Sequence, residues 1–256
     1  MAASTNSAPP VRGRFDWPWR GGPSFVAPDG SQLSLSAAGL DMSRPWSCEF
    51  IALVRGVRRS FTVAETGAFD WHSTYTTIPD EILRQSYRGG ELLVGSQHAT
   101  RDEAAQYRAV WRGQWFELHT RSSGPTPPAN EIIGVFDAFR LTDTPLGMLV
   151  QARTARHARL EPVRVDKQIP GLGHLTIERP ESSRTAIPDV RGLLTRHGEL
   201  WRQPLGSGAH GRSRPDALVL ATPTAITRLV AGAADSADPN QALDMLAGLN
   251  VIWEPA

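Results

Sequence analysis

The chain of 256 residues contains one cysteine and one lysine. A lone cysteine excludes an internal disulfide framework and any cysteine-rich metal site. Charge of one sign is not in excess either. The 27 basic and 26 acidic groups leave a formal net charge of +1, whereas a generic nucleic-acid binder carries a basic surplus. Long hydrophobic runs are also missing. The opening stretch MAASTNSAPPVRGRFDWPW has no apolar segment fit for a signal-peptide core. No later stretch approaches the roughly 20 apolar residues of a membrane span. The expectation is a cytoplasmic protein, with export by a non-classical route left open, and with no nucleic-acid partner and no membrane insertion. With Lys167 as the single lysine, the basic set is almost wholly arginine. Together with abundant Ala, Gly and Pro, this fits a GC-rich coding bias. Arg55, Arg58 and Arg59 form the tightest arginine group in sequence, too sparse to signal phosphate recognition.

What is present is a globular composition, 40% hydrophobic and 21% charged, enough for one large domain or two smaller ones. Residues 1–23 read as a mobile tail rich in Pro, Gly, Ser and Arg. Its Phe15–Trp19 cluster reads as a strap that packs on the domain or, because exposed tryptophans bind strongly, as a docking peptide with Trp17 and Trp19 as anchors.

Three hairpins are predicted from glycine-bearing turns. The first turns at Arg55-Gly56, the second at Arg112-Gly113 and the third at His197-Gly198. In the second, a two-residue turn pairs Ala109 with Phe116, Arg108 with Glu117 and Tyr107 with Leu118. Tyr107, Ala109, Trp111, Phe116 and Leu118 then share a core face. Trp115 falls on the opposite face beside Val110, where it would mark an interface if uncovered. His119 lies opposite Gln106, so Arg108, Glu117 and His119 are the chemical groups of the polar face. Helices are expected from Asn130 as N-cap, carrying Ile132, Ile133, Phe136 and Phe139, from Thr222-Pro223, carrying Ile226, Leu229 and Val230, and from Asn240, carrying Leu243, Leu246 and Leu249. Val251–Trp253 reads as a closing strand.

The two halves show matching segments in the same order. Phe61-Thr62-Val63 pairs with Leu175-Thr176-Ile177, and Ile78-Pro79-Asp80 with Ile187-Pro188-Asp189. Arg88–Leu92 pairs with Arg196–Leu200, and Asn130-Glu131 with Asn240-Gln241. A tandem duplication over about 46–145 and 146–256 is therefore expected. The fold class is α+β: modules 24–145 and 146–256 of antiparallel strands, each closed by a C-terminal helix and strand.

The run Tyr107–Leu118, the Pro-rich gap after it and the helix ending Phe136-Asp-Ala-Phe-Arg-Leu resemble the second half of Mog1/PsbP-like modules. Arg88–Gly95 with the same hairpin is similar to strands of the EspG chaperones of type VII secretion, without the long helical segments of that family. Both families are non-catalytic, so the resemblance implies binding and lends no functional residues.

No motif signals catalysis. Gly206–Gly211 fits G-x-G-x-x-G but lacks the strand before it and the helix after it that a dinucleotide site needs, and it reads as a loop. There is no P-loop, no nucleophile elbow and no H-E-x-x-H. His98 with Asp102 and Glu103 is better explained as a capping box than as a metal site. Cys48 reads as a buried, inert thiol. No cofactor and no metal are expected. The reading is a non-catalytic adaptor or scaffold binding another protein or peptide, or itself, with Trp17, Trp19, Arg108, Trp115, Glu117 and His119 as binding residues. The alternatives are an enzyme acting on a small molecule at the module junction through His98, His119 and Glu117, and a component of a phage-like or secretion assembly.

Overall fold

A computed structural model describes residues 23–38, 41–42, 44–70, 81–97, 105–154, 158–161, 163–204, 216–230 and 239–256. Trp17, Trp19, His98, the 98–103 cluster and the 206–211 run lie outside them. The described residues form a β-rich α+β fold of two sheets with few helices.

A five-stranded sheet holds β1 (Ser24–Val26), β2 (Gln32–Ser36), β9 (Phe139–Thr144), β10 (Gly147–Ala152) and β18 (Asn250–Glu254), in the order β18-β2-β1-β10-β9. A thirteen-stranded sheet starts with β3 (Trp46–Val54), β4 (Val57–Glu65), β5 (Glu81–Tyr87), β6 (Gly90–Gln97), β7 (Gln106–Arg112) and β8 (Phe116–Ser123). It continues with β11 (Ala158–Leu160), β12 (Arg164–Ile169), β13 (Gly173–Glu178), β14 (Leu193–Leu194), β15 (Glu199–Pro204), β16 (Asp216–Ala221) and β17 (Ile226–Val230).

Antiparallel pairing of β3 with β12 stands at the centre of the large sheet. Outward from that pair, one arm runs β3-β4-β8-β7-β6-β5 and the other β12-β13-β17-β16-β15-β14. The strand order is the same in both. The central register is symmetric about the rung Cys48–Val165, with Glu49–Arg164 on one side and Ser47–Asp166 on the other. Followed outward, the ladders make Val63 the counterpart of Ile177, Leu118 of Thr227, Trp111 of Leu220 and Leu92 of Leu200. After the arms come α1 (Ala129–Phe136) leading into β9, and α3 (Pro239–Gly248) leading into β18; α2 (Pro180–Ser183) is a single turn.

The core lies between the sheets because the strands alternate. Trp46, Cys48, Phe50, Ala52 and Val54 of β3 are buried, while Ser47, Glu49, Ile51 and Leu53 face the other way. Phe25 from the small sheet stacks on Trp46 at 5.6 Å and meets Phe116 edge-on at 6.1 Å. Phe61 stacks on Phe50 and takes Phe139 edge-on, both at 5.3 Å. Each buried phenylalanine contributes about 1.5–3 kcal/mol. One continuous cluster includes Leu33, Phe61 and Phe139 from 24–145 and Val165, Leu229 and Trp253 from 146–256.

The Arg55-Gly56 turn is as expected: Val54 pairs with Val57, and both turn residues have positive φ, 50° and 80°. That mirror-image turn matches the strand twist. The second hairpin differs. Its apex is Gln114-Trp115, with the Gly113 N–H donating to the Phe116 carbonyl at 2.9 Å, and Arg112 pairs with Glu117. Asp143 of β9 sets this apex by accepting the Trp115 and Phe116 N–H groups at 2.7 and 3.1 Å. The slide is an even number of residues, so Tyr107, Ala109, Trp111, Phe116 and Leu118 keep their common buried face. The third hairpin turns at Arg196-His197, one residue early.

Two helix expectations change. Pro128, not Asn130, precedes α1, and Phe139 belongs to β9. Thr222-Pro223 opens no helix; residues 226–230 are strand β17, paired on both sides with β13 and β16. Thr222 Oγ1 accepts the Ala225 N–H at 3.1 Å, making a hairpin turn, and the β-branched Ile226, Thr227 and Val230 suit the sheet.

Candidate functional site

The large sheet turns one face to the core and a polar face away from it. On the polar face of the first arm, strands β3, β4, β8 and β7 form the floor of a cleft of about 330 Å³. Ser47 and Glu49 come from β3, Ser60 and Thr62 from β4, His119 and Arg121 from β8, and Arg108 from β7. Their convergence follows from strand alternation, which sends every second residue of four adjacent strands to the same side.

Glu117 does not line this cleft. It is fully buried, and its two oxygens are committed. Oε1 accepts the Gly67 N–H at 2.8 Å and Arg112 Nε at 2.5 Å. Oε2 accepts the Phe69 N–H at 2.9 Å and stands 3.0 Å from His119 Nε2. Arg112 also reaches Asp70 at 3.1 Å. Burial alone would push this carboxyl up, but His119, Arg112 and the Gly67 amide outweigh it and hold it at about 2. Glu117 is thus an anchor that ties the 67–70 segment onto the sheet, where Phe69 packs on Leu93 and Val110. The expected Arg108–Glu117 cross-strand pair is replaced by Arg112–Glu117, a consequence of the shifted apex.

His119 sits opposite Val110, not Gln106, and is 7% exposed at the cleft wall. Its Nε2 lies 3.0 Å from Glu117 Oε2, a contact that is an ion pair when the ring is protonated. Trp115 occupies the turn apex and packs against the core, so it is not a free aromatic beside Val110. Among the expected binding residues, Arg108 and His119 meet in the cleft with Arg121, which sequence reading missed.

Across the symmetric rung the polar face is self-neutralising. Arg164 reaches Glu49 at 2.5 Å and Asp166 at 3.2 Å; Asp166 also accepts Thr176 Oγ1 at 2.9 Å and faces His174 at 3.0 Å. Burial pushes Asp166 up, but His174 and Arg164 hold it below the usual carboxylate range, and its hydrogen bond raises His174. Under the core face, Lys167 is 1% exposed, donates to the Met42 and Arg44 carbonyls at 3.2 and 2.5 Å, and lies 4.2 Å over the Trp46 ring. Burial pulls it down to about 8 and pushes Glu65 up to about 7.

Among the described residues, no group of three His, Cys, Asp or Glu side chains converges as a metal site, and no helix is long and apolar enough to cross a membrane. No family model and no curated protein matches the chain. The solved structure described as "Crystal structure of MucB in complex with MucA(peri)" matches at 10% identity over 81% of this chain and 93% of that one. Its TM-score is 0.17, a likeness too slight to inform the fold or the site.

Proposed function

We propose that the chain is a non-catalytic binding protein built from two tandem copies of an α+β module, 24–145 and 146–256, that engages a partner protein through the polar face of its large sheet. The observation that carries this reading is the cleft itself. Four strands present hydroxyls and two arginines there, while the carboxylate in its floor, Glu49, is paired with Arg164 and the buried Glu117 beyond it is consumed by structural donors. The identical strand order and the symmetric central register support the duplication. So does the path of the ladders, which carry the match of Phe61–Val63 with Leu175–Ile177 to that of Leu92 with Leu200 without a slip.

The test is affinity purification of the full chain from its native host, in parallel with Ser60→Trp. Ser60 is exposed and lines the cleft, so the indole fills the cleft without touching the core. A near-stoichiometric protein retained by the wild type and lost by the variant supports the reading. Its absence from the wild type, or its retention by the variant, overturns it.

A further inference from the structure

Arg108 and Arg121 are direct partners on one rung of the β7–β8 ladder, and both line the cleft. Like charges set opposite each other destabilise a sheet. Burial and the neighbouring Arg121 lower the Arg108 guanidinium's hold on its proton, against a smaller opposing pull from Glu117. Arg108 Nη1 is buried and has no acceptor among the described residues, an arrangement that native structures rarely leave unexplained. No described carboxylate forms an ion pair with either arginine, and Glu49 in the same wall is already taken by Arg164.

The fold does not require these charges. At the matching rung of the other arm, the β16–β17 ladder places Ala217 opposite Val230. That rung closes the same strand pairing with two apolar side chains, so the arginines serve something other than the sheet.

We propose that the Arg108–Arg121 rung is a receptor for a phosphomonoester group, with the Ser60 and Thr62 hydroxyls of the cleft wall as further donors. A phosphomonoester carries about −1.5 to −2 charges near neutrality and three acceptor oxygens. It therefore neutralises both guanidiniums, where a single carboxylate would neutralise one, and arginine forks match phosphoryl oxygens in geometry. Part of the cleft is left for the group that bears the phosphate. The proposal rests on the reading of this cleft as the binding surface. The phosphate can come from a modified side chain of a protein partner or from a free phosphorylated compound.

The test is calorimetric titration of the full chain with phenyl phosphate, inorganic phosphate and benzoate at low ionic strength, repeated on Arg108→Ala/Arg121→Val. That double variant installs the residues of the other arm, so it keeps the strand pairing, and its thermal midpoint checks this. Phenyl phosphate is expected to bind the wild type at least tenfold more tightly than benzoate, and the folded variant to lose that binding at least tenfold. No phosphate binding by the wild type, equal binding of benzoate, or undiminished binding by the variant overturns the proposal.

The host purification separates the two ideas. A captured partner that blocks phenyl phosphate, and is released by phosphatase treatment, identifies a protein-borne phosphate. Phosphate binding without a captured partner supports the rung, points to a free phosphorylated compound and sinks the protein-binding reading. A captured partner with no phosphate binding does the reverse.

Discussion

Replacing Glu117 by Gln should cost the fold about 3 kcal/mol near neutral pH, and the cost should vanish in acid. An ordinary glutamate titrates at 4.5 and this one at about 2. Each pH unit of that difference is worth about 1.4 kcal/mol. Breaking a buried ion pair by removing one partner costs about 3–5 kcal/mol, which agrees. The structural cause is plain: an amide NH2 cannot accept the hydrogen bonds of Gly67 and Arg112, or of Phe69, that one carboxylate oxygen now takes. Because the folded pKa is depressed, the stabilisation is fully present above about pH 4.5 and is lost as the pH falls toward 2. The assay is urea or thermal unfolding of both proteins across that range. For a chain of this size the neutral gap is about 6–12 °C. The amides of Gly67 and Phe69 should exchange up to about a hundredfold faster in the variant. A neutral gap below about 1 kcal/mol, or a gap that stays constant down to acid, would refute the assignment of Glu117 as the anchor.

Three further outcomes follow from the packing. Cys48 is fully buried, and burial pushes its thiol pKa well up, so a thiol reagent should modify it only at the rate of unfolding. Wild-type stability should fall as the pH rises from 4.5 to about 7 through Glu65, and rise from about 8 to 10.5 through Lys167; in Lys167→Met the alkaline rise should be gone from a set of urea melts. Gly198→Ala drives a Cβ into the Ala221 carbonyl and should cost about 1–3 kcal/mol, whereas Gly248→Ala meets open space and should not lower the melting temperature.

Local chemistry made some of this fold legible and long-range chemistry hid the rest. The Arg55-Gly56 turn could be read because two positive-φ residues fix a hairpin by themselves. The helix at 240 and the strand after it could be read from period and burial. The apex of the second hairpin could not, since Asp143, 28 positions beyond Trp115, fixes it. The strand at 226–230 was hidden because Ile226, Leu229 and Val230 satisfy a helical spacing as well as a buried strand. Arg121 was missed because its partner is set at long range, as the hairpin apex is. No run of arginines marks the site, and only the β7–β8 register brings residues 108 and 121 face to face.

The two arms agree at several core rungs and differ most sharply at two outward rungs, and the candidate cleft lies at one of them. Core rungs keep buried side chains on both sides: Val63 and Ile177, Trp111 and Leu220, Leu92 and Leu200. Two outward rungs change chemistry while keeping position. Arg112–Glu117 stands where the other arm has Ala221–Ile226, and Arg108–Arg121 where it has Ala217–Val230. Trp201, Val219 and Ile226 make an apolar patch in the second arm at the positions of Leu93, Val110 and Glu117 in the first. A carboxylate ringed by donors needs several partners at once, and the two arginines have no ion-pair partner among the described residues. The first substitution set fastens the 67–70 segment to the sheet. The second places two arginines with no described ion-pair partner in a cleft. One sheet thus carries an arm that closes this rung with apolar side chains and an arm that sets two arginines, without an ion-pair partner among the described residues, into a cleft.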